Sequence, residues 1–318
     1  MKKLFKILLV VALCLILLGG ITFTIGIFAA DGKFSDISLE DVKMHTYAER
    51  AESPVTAIKL DFDTTDVEIR LEDTKQLSIE YPQLFSKKGK PRTEMKVTET
   101  ENSVAITEYR PWYNNISIIS LNPTAILHLP KSRVYALDIS TDTGDVTFHG
   151  EKLQTRILAI ETDTGYVNAS ETELVCENKI TIDTDTADVR LGKLSCSSLS
   201  VEVDTGDIFV TDGNVTENAV FDLDTGDFTL TGTLQANSFK ASSDTGKINT
   251  LNGCISARNI HLESTTGDVS ATLAGSQTEY TVTAKTNTGS KNIFSGGNGE
   301  KTLEISTNTG DIRIEFKN

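Results

Sequence analysis

Histidine, cysteine, tryptophan and positive charge are all scarce in this chain, and each scarcity narrows the functions open to it. Its 318 residues hold four histidines, His45, His128, His149 and His261, too scattered to give a zinc-site spacing or a Ser-His-Asp set. Of four cysteines, Cys14 lies in an apolar N-terminal run, leaving Cys176, Cys196 and Cys254; an odd number is not a disulfide framework. Cys176 and Cys196 are 20 residues apart and could bridge one above the other if oxidised. Burial as small hydrophobes is the competing reading. Thirty Lys and Arg face 45 Asp and Glu, a net charge of −15. Because Lys2, Lys3 and Lys6 all precede the apolar run, the body is more acidic still, which excludes nucleic-acid binding by counterion release.

What is present begins with that run. Ile7 to Phe28 is 22 residues without a charge, long enough to span a bilayer and too long for a typical signal-peptide core. The lysines on its short N-terminal side favour a cytoplasmic N-terminus and an extracytoplasmic body. Residues 1–30 are therefore expected to be a cytoplasmic tip and single-pass transmembrane helix, with cleavage as the rival reading, and residues 31–55 a polar stalk.

From Tyr135 onward one phrase returns, as in Ser140-Thr-Asp-Thr-Gly-Asp-Val146, Val203-Asp-Thr-Gly-Asp-Ile208 and Asn308-Thr-Gly-Asp-Ile312. Its marker position is occupied by Gly144, Gly165, Ala187, Gly206, Gly226, Gly246, Gly267, Gly289 and Gly310, at intervals of 19 to 22 residues. Apolar residues alternate on both sides of each marker: Leu199 and Val201 before Gly206, Ile208 and Val210 after it. Each repeat thus reads as strand, tight turn, strand. Stacked repeats that pair each turn with the next make an all-β fold, a β-solenoid with a repeat of about 21 residues. An earlier copy, Ile58 to Leu71 with Thr65 at the marker, places the solenoid at 56–318. Residues 56–130 form an irregular first section or cap, and 131–318 the regular repeats.

The run Leu127-His-Leu-Pro-Lys131, then Leu137-Asp-Ile-Ser140, then repeated Asp-Thr-Gly-Asp-Val after an N-terminal apolar segment resembles the bacterial "putative adhesin" family of β-strand-repeat domains, which includes LiaG-like envelope proteins. The resemblance covers residues 56 to 318. It implies an exported, anchored protein associated in some members with envelope stress, and it supplies no catalytic residues to carry over.

Three chemistries can be drawn from the motifs. Asp-Thr-Gly is also an aspartic-protease motif, but here it recurs every rung and defines no unique pair. Calcium is the sharper alternative, because aspartates two before and one after each marker form two carboxylate ladders, densest at Asp183, Asp185, Asp188, Asp204 and Asp207. Asn287, Asn308 and Thr265 in the first ladder, and Tyr166, Lys247 and Ser290 in the second, fit turn capping better than a metal cage. A carbohydrate-active β-helix enzyme would need paired carboxylates in a groove. The residues that break the repeat, Tyr109, Arg110, Trp112 and Tyr113 with the basic loop at Lys87 and Lys88, are candidates for a partner or ligand surface, or for a cap on the solenoid's open end. The expectation is a non-enzymatic, membrane-anchored extracytoplasmic scaffold without a cofactor, an adhesin or stress-associated protein binding an envelope polymer or protein. A calcium-responsive binding module and a carbohydrate-active enzyme are the alternatives.

Overall fold

The computed structural model describes residues 40–50, 54–110 and 123–317. These form 23 strands and one short 3-10 turn, Gln277–Glu279. The N-terminal apolar segment lies outside the described residues, as do Trp112 and Tyr113. Among the described residues no helix is long and apolar enough to cross a membrane.

The chain divides into two compact units, one of residues 1–43, 83–94 and 110–121, the other of 44–82, 95–109 and 122–318. In the first, the lysine-rich loop is a hairpin. Leu84 accepts the N–H groups of Arg92 and Thr93, Ser86 and Lys90 close the turn, and Gly89 supplies the positive φ of 77° that the turn requires. Lys87 pairs with Asp41 at 2.7 Å, and Lys43 lies 4.2 Å over the ring of Phe85.

The second unit is the solenoid. Its rungs pair in parallel, with Leu158 against Leu137 and Ile180, Ile182 against Val201, and Val201 against Phe221, while Ser78–Glu80 runs antiparallel to Ile126–His128. Alternation places every second side chain inside, so each strand buries one face and presents the other to solvent. Large and small residues change places between rungs to keep the core filled. Ala219 faces Phe239 while Phe221 faces Ala241, and Phe221, Phe228 and Phe239 meet with ring centroids 4.5 to 5.9 Å apart.

Stacking does not follow chain order at either end, contrary to the expectation that each turn pairs with the next. The rung Ala57–Phe62 and Asp66–Glu72 lies between strands Ser103–Tyr109 and Thr124–Pro130 on one side and the rung at Tyr135–Thr143 on the other. At the C-terminal end, Lys301–Thr309 and Ile312–Lys317 insert against the rung that carries Gly267, while Tyr280–Thr288 stacks outside them. The physical reason lies in what each segment can pair. The last segment has both strands and can satisfy neighbours on two sides, whereas the chain after Gly289 forms isolated bridges, Lys291 to Ile312 and Gly296 to Val282, in place of a second strand. The half-rung therefore takes the outer place. Its edge is covered by its own continuation, for Val282 and Gly296 exchange two 2.8 Å backbone bonds and Ser295 bonds both polar groups of Ala284.

Candidate functional site

Each rung turns at its Asp-Thr-Gly or the variant that replaces it, and stacking converts that local phrase into four parallel lines. The markers form the first. Gly206, Gly226 and Gly289 have φ of 145°, 151° and 150°, a region that L side chains rarely adopt. A Cβ on Gly226 would also collide with the carbonyl of Gly206. The second line is the hydroxyl three residues before each marker, buried and donating to the neighbouring marker's carbonyl: Ser243 to Gly226 at 3.0 Å, Ser264 to Gly246 at 2.8 Å, Thr307 to Gly267 at 3.0 Å. Val203 and Leu223 interrupt this line, and the Thr184 hydroxyl in it has no hydrogen-bond partner.

The third line, one residue after the marker, is a carboxylate ladder that holds backbone. Asp66 accepts the N–H of Asp145 at 2.9 Å, Asp145 that of Tyr166 at 2.8 Å, Asp188 that of Asp207 at 3.0 Å, Asp207 that of Asp227 at 2.8 Å, and Asp227 that of Lys247 at 2.7 Å. The step repeats from Asp268 to Asp311 and from Asp311 to Ser290, and the Ser290 bonds hold the Asp311 carboxyl below its ordinary value. The fourth line is the threonine before each marker, in register from Thr143 through Thr164, Thr186, Thr205, Thr225 and Thr245 to Thr266, and exposed throughout.

The first of the two expected aspartate ladders points elsewhere. Asp142, Asp163, Asp185, Asp204, Asp224 and Asp244 are exposed on the outer face of the sheet, beside a second column of Glu161, Asp183, Glu202 and Asp222. Crowding is felt there. Desolvation, with Asp63 and Asp163 close by, pushes Asp142 up to about 6. Asp183 is raised by desolvation and by Asp185 and Asp204, and Glu202 by Asp183 and then by desolvation. The five densest aspartates are thus divided by direction: Asp183, Asp185 and Asp204 on the sheet face, Asp188 and Asp207 around the turn with one carboxylate oxygen each bound to backbone. Among the described residues no group of three or more His, Cys, Asp or Glu has the geometry to hold a metal ion.

Where the ladders meet the turn edge there is a shallow groove of about 440 Å³, lined by Thr143, Thr164, Thr186 and Thr205 on one side and Asp66, Asp145, Tyr166 and Asp188 on the other. Gly144, Gly165, Ala187 and Gly206 are its floor. Tyr166 stands where most rungs carry aspartate, and it is 56% exposed. In the sequence it was visible only as an interruption of the second ladder; the groove it lines needed the register. Of the other expected surface residues, Tyr109 is exposed at the end of its strand, Lys88 is exposed in the hairpin turn, Lys87 is paired with Asp41, and Arg110 closes the described segment.

With the turn geometry established, the family follows from the repeat itself. A model of the family described as Toastrack DUF4097 matches residues 55–315. The chain belongs to that family. This bears out the resemblance carried by the Asp-Thr-Gly phrase, and the match runs through the irregular first section, residues 56–130, as well as through the regular Toastrack rungs. No curated protein matches the chain in sequence. Among solved structures it is similar to a "putative cell adhesion protein" from Clostridium sporogenes, at 14% identity over 88% of this chain and 100% of that one, with a TM-score of 0.28. It is similar too to "putative adhesins" from Bacteroides fragilis (16% identity, 86% and 97% covered, TM-score 0.37) and Parabacteroides distasonis (11%, 86% and 97%, 0.38).

Proposed function

We propose that this Toastrack protein is a non-enzymatic binding scaffold of the bacterial envelope, anchored through its N-terminal apolar segment and engaging another envelope component along its turn edge. The observation that carries the reading is the groove lined by Tyr166. The solenoid's aspartates next to the markers are occupied in holding backbone N–H groups, so their recurrence is explained by architecture. Tyr166 has no such duty, and an exposed aromatic in a groove suits recognition. The uncharged stretch Ile7 to Phe28 behind three lysines supports the anchor and its orientation.

Co-sedimentation of the full chain with isolated envelope fractions tests this. Wild type is expected to pellet with the fraction and Tyr166→Ala to pellet much less. Equal pelleting of the two proteins would remove the groove from the reading, and no pelleting of wild type would remove the reading itself.

A further inference from the structure

The groove's chemistry is specific enough to name a class of ligand. Resting on the binding reading above, we infer that the Tyr166 groove takes an uncharged or amino-sugar polysaccharide, laid along the turn edge so that successive sugars meet successive rungs.

Three features converge on that class. The groove is a translational array: from the rung of Asp66 to that of Gly206 there are four rung steps of about 4.8 Å, roughly 19 Å in all, presenting the same hydroxyl-bearing position at each step. A ligand that uses such an array has to be periodic. A linear glycan is, with a ring in each unit and hydroxyl groups on its edges.

The second feature is the pairing of groups across the groove. Thr143, Thr164, Thr186 and Thr205 offer hydroxyls that donate or accept, as sugar hydroxyls do. On the opposite wall Asp66, Asp145 and Asp188 each commit Oδ1 to a backbone N–H, which fixes the carboxylate; Oδ2 of Asp66 and Asp145 stays an acceptor that a sugar O–H can meet, while Oδ2 of Asp188 takes the Arg190 guanidinium at 3.3 Å. Between them Tyr166 supplies an exposed ring against which the apolar face of a pyranose can pack.

Charge decides among glycans. Three carboxylates on one wall of a chain with net charge −15 repel a phosphorylated or uronate polymer and leave neutral or amino sugars favoured.

Tyr166 also lends itself to a clean test, because Asp is the residue the ladder uses elsewhere. Tyr166→Asp restores an acceptor for the N–H of Asp188 and is expected to fold at least as well as wild type by thermal melting. The full chain is titrated calorimetrically with chitohexaose, cellohexaose, polygalacturonate and, as a basic non-sugar probe, hexalysine. The expected result is saturable binding of one or both neutral hexasaccharides, weakened about tenfold or more by Tyr166→Asp and Tyr166→Ala, retained by Tyr166→Phe, with no binding of polygalacturonate. Tyr166-dependent binding of hexalysine alone would overturn the glycan assignment and leave the groove as a binding site. Preference for polygalacturonate would overturn the charge argument that selects the ligand class. Absence of Tyr166-dependent binding to any probe would overturn this inference and count against the groove reading beneath it.

Discussion

The carboxylate of Asp188 accepts the backbone N–H of Asp207, one rung along, at 3.0 Å, and Asp207 does the same for Asp227 at 2.8 Å. Each aspartate therefore holds a neighbour's turn rather than its own. This explains why aspartate recurs one residue after the marker, and it makes the role measurable. Asp207→Ala leaves the Asp227 N–H without its acceptor and should cost about 1–2 kcal/mol in denaturant unfolding. Asp207→Asn keeps Oδ1 and should stay within about 0.5 kcal/mol of wild type. Equal losses in the two variants would show that charge, not acceptance, is what the position needs.

The marker glycines respond to a different constraint. Gly226 has φ of 151° and no room for a Cβ beneath the Gly206 carbonyl. Strain and collision together predict a loss of about 3 kcal/mol or more for Gly226→Ala. Ala187 already occupies the same line, so Ala187→Gly should lose only about 1 kcal/mol, from backbone entropy. Unfolding midpoints of the two variants compare the positions directly.

These two positions show what was legible beforehand. The marker spacing and the alternation at Leu199, Val201, Ile208 and Val210 follow from local chemistry, so strand, turn and stacked core could be read from the chain. The order of stacking could not. Whether Lys301–Thr309 or Tyr280–Thr288 lies next to the Gly267 rung depends on which segment has two strands to pair, a nonlocal property. The two aspartate ladders look alike in sequence, two before and one after the same glycine. Only the path of the turn sends Asp185 to the sheet face and ties Asp188 to backbone. Tyr166 was visible as a break in a pattern, and its groove only as a relation between rungs.

Glu49 is the most deeply buried carboxylate contact in the second unit, its side chain 1% exposed. Burial alone would raise its carboxyl. Arg133 at 2.7 Å and the N–H groups of Leu77 and Val55 at 2.9 and 3.0 Å outweigh that and hold it below its ordinary value. Removing it leaves two backbone donors and one arm of the guanidinium without an acceptor, the other arm keeping the Lys75 carbonyl, so Glu49→Ala should lose about 3 kcal/mol. Calorimetric unfolding of Glu49→Ala, Arg133→Ala and the double variant should show strong coupling; additive losses would refute the lock.

Calcium offers a test of the divided ladders. Asp183, Asp185 and Asp204 face solvent while Asp188 and Asp207 each hold a backbone N–H, so no set of five converges on one ion. The melting temperature of the full chain should rise equally in calcium and magnesium at matched ionic strength, by screening of the acidic columns. A shift of many degrees with calcium alone, reversed by chelator, would reveal a specific site.

The acidic columns also fix a pH dependence of unusual sign. Asp142 is pushed up to about 6 by desolvation and by Asp63 and Asp163, and Asp183 and Glu202 are displaced upward as well. A carboxyl whose folded pKa exceeds its unfolded value, about 3.9 for aspartate, binds more protons when folded. Stability contributed by Asp142 is therefore present near pH 4 and is lost as pH rises through about 6, where its own carboxyl becomes charged beside its acidic neighbours. Glu49 works in the opposite direction, but only below the ordinary carboxylate range. Between pH 5 and 7 the upward-shifted group should prevail, and the melting temperature of wild type should fall as pH rises. Asp142→Asn should flatten that fall by removing the titrating group and relieving Asp163. A wild-type melting temperature that rises from pH 5 to 7, or an unchanged slope in Asp142→Asn, would show that solvent screening at this exposed face overrides the crowding.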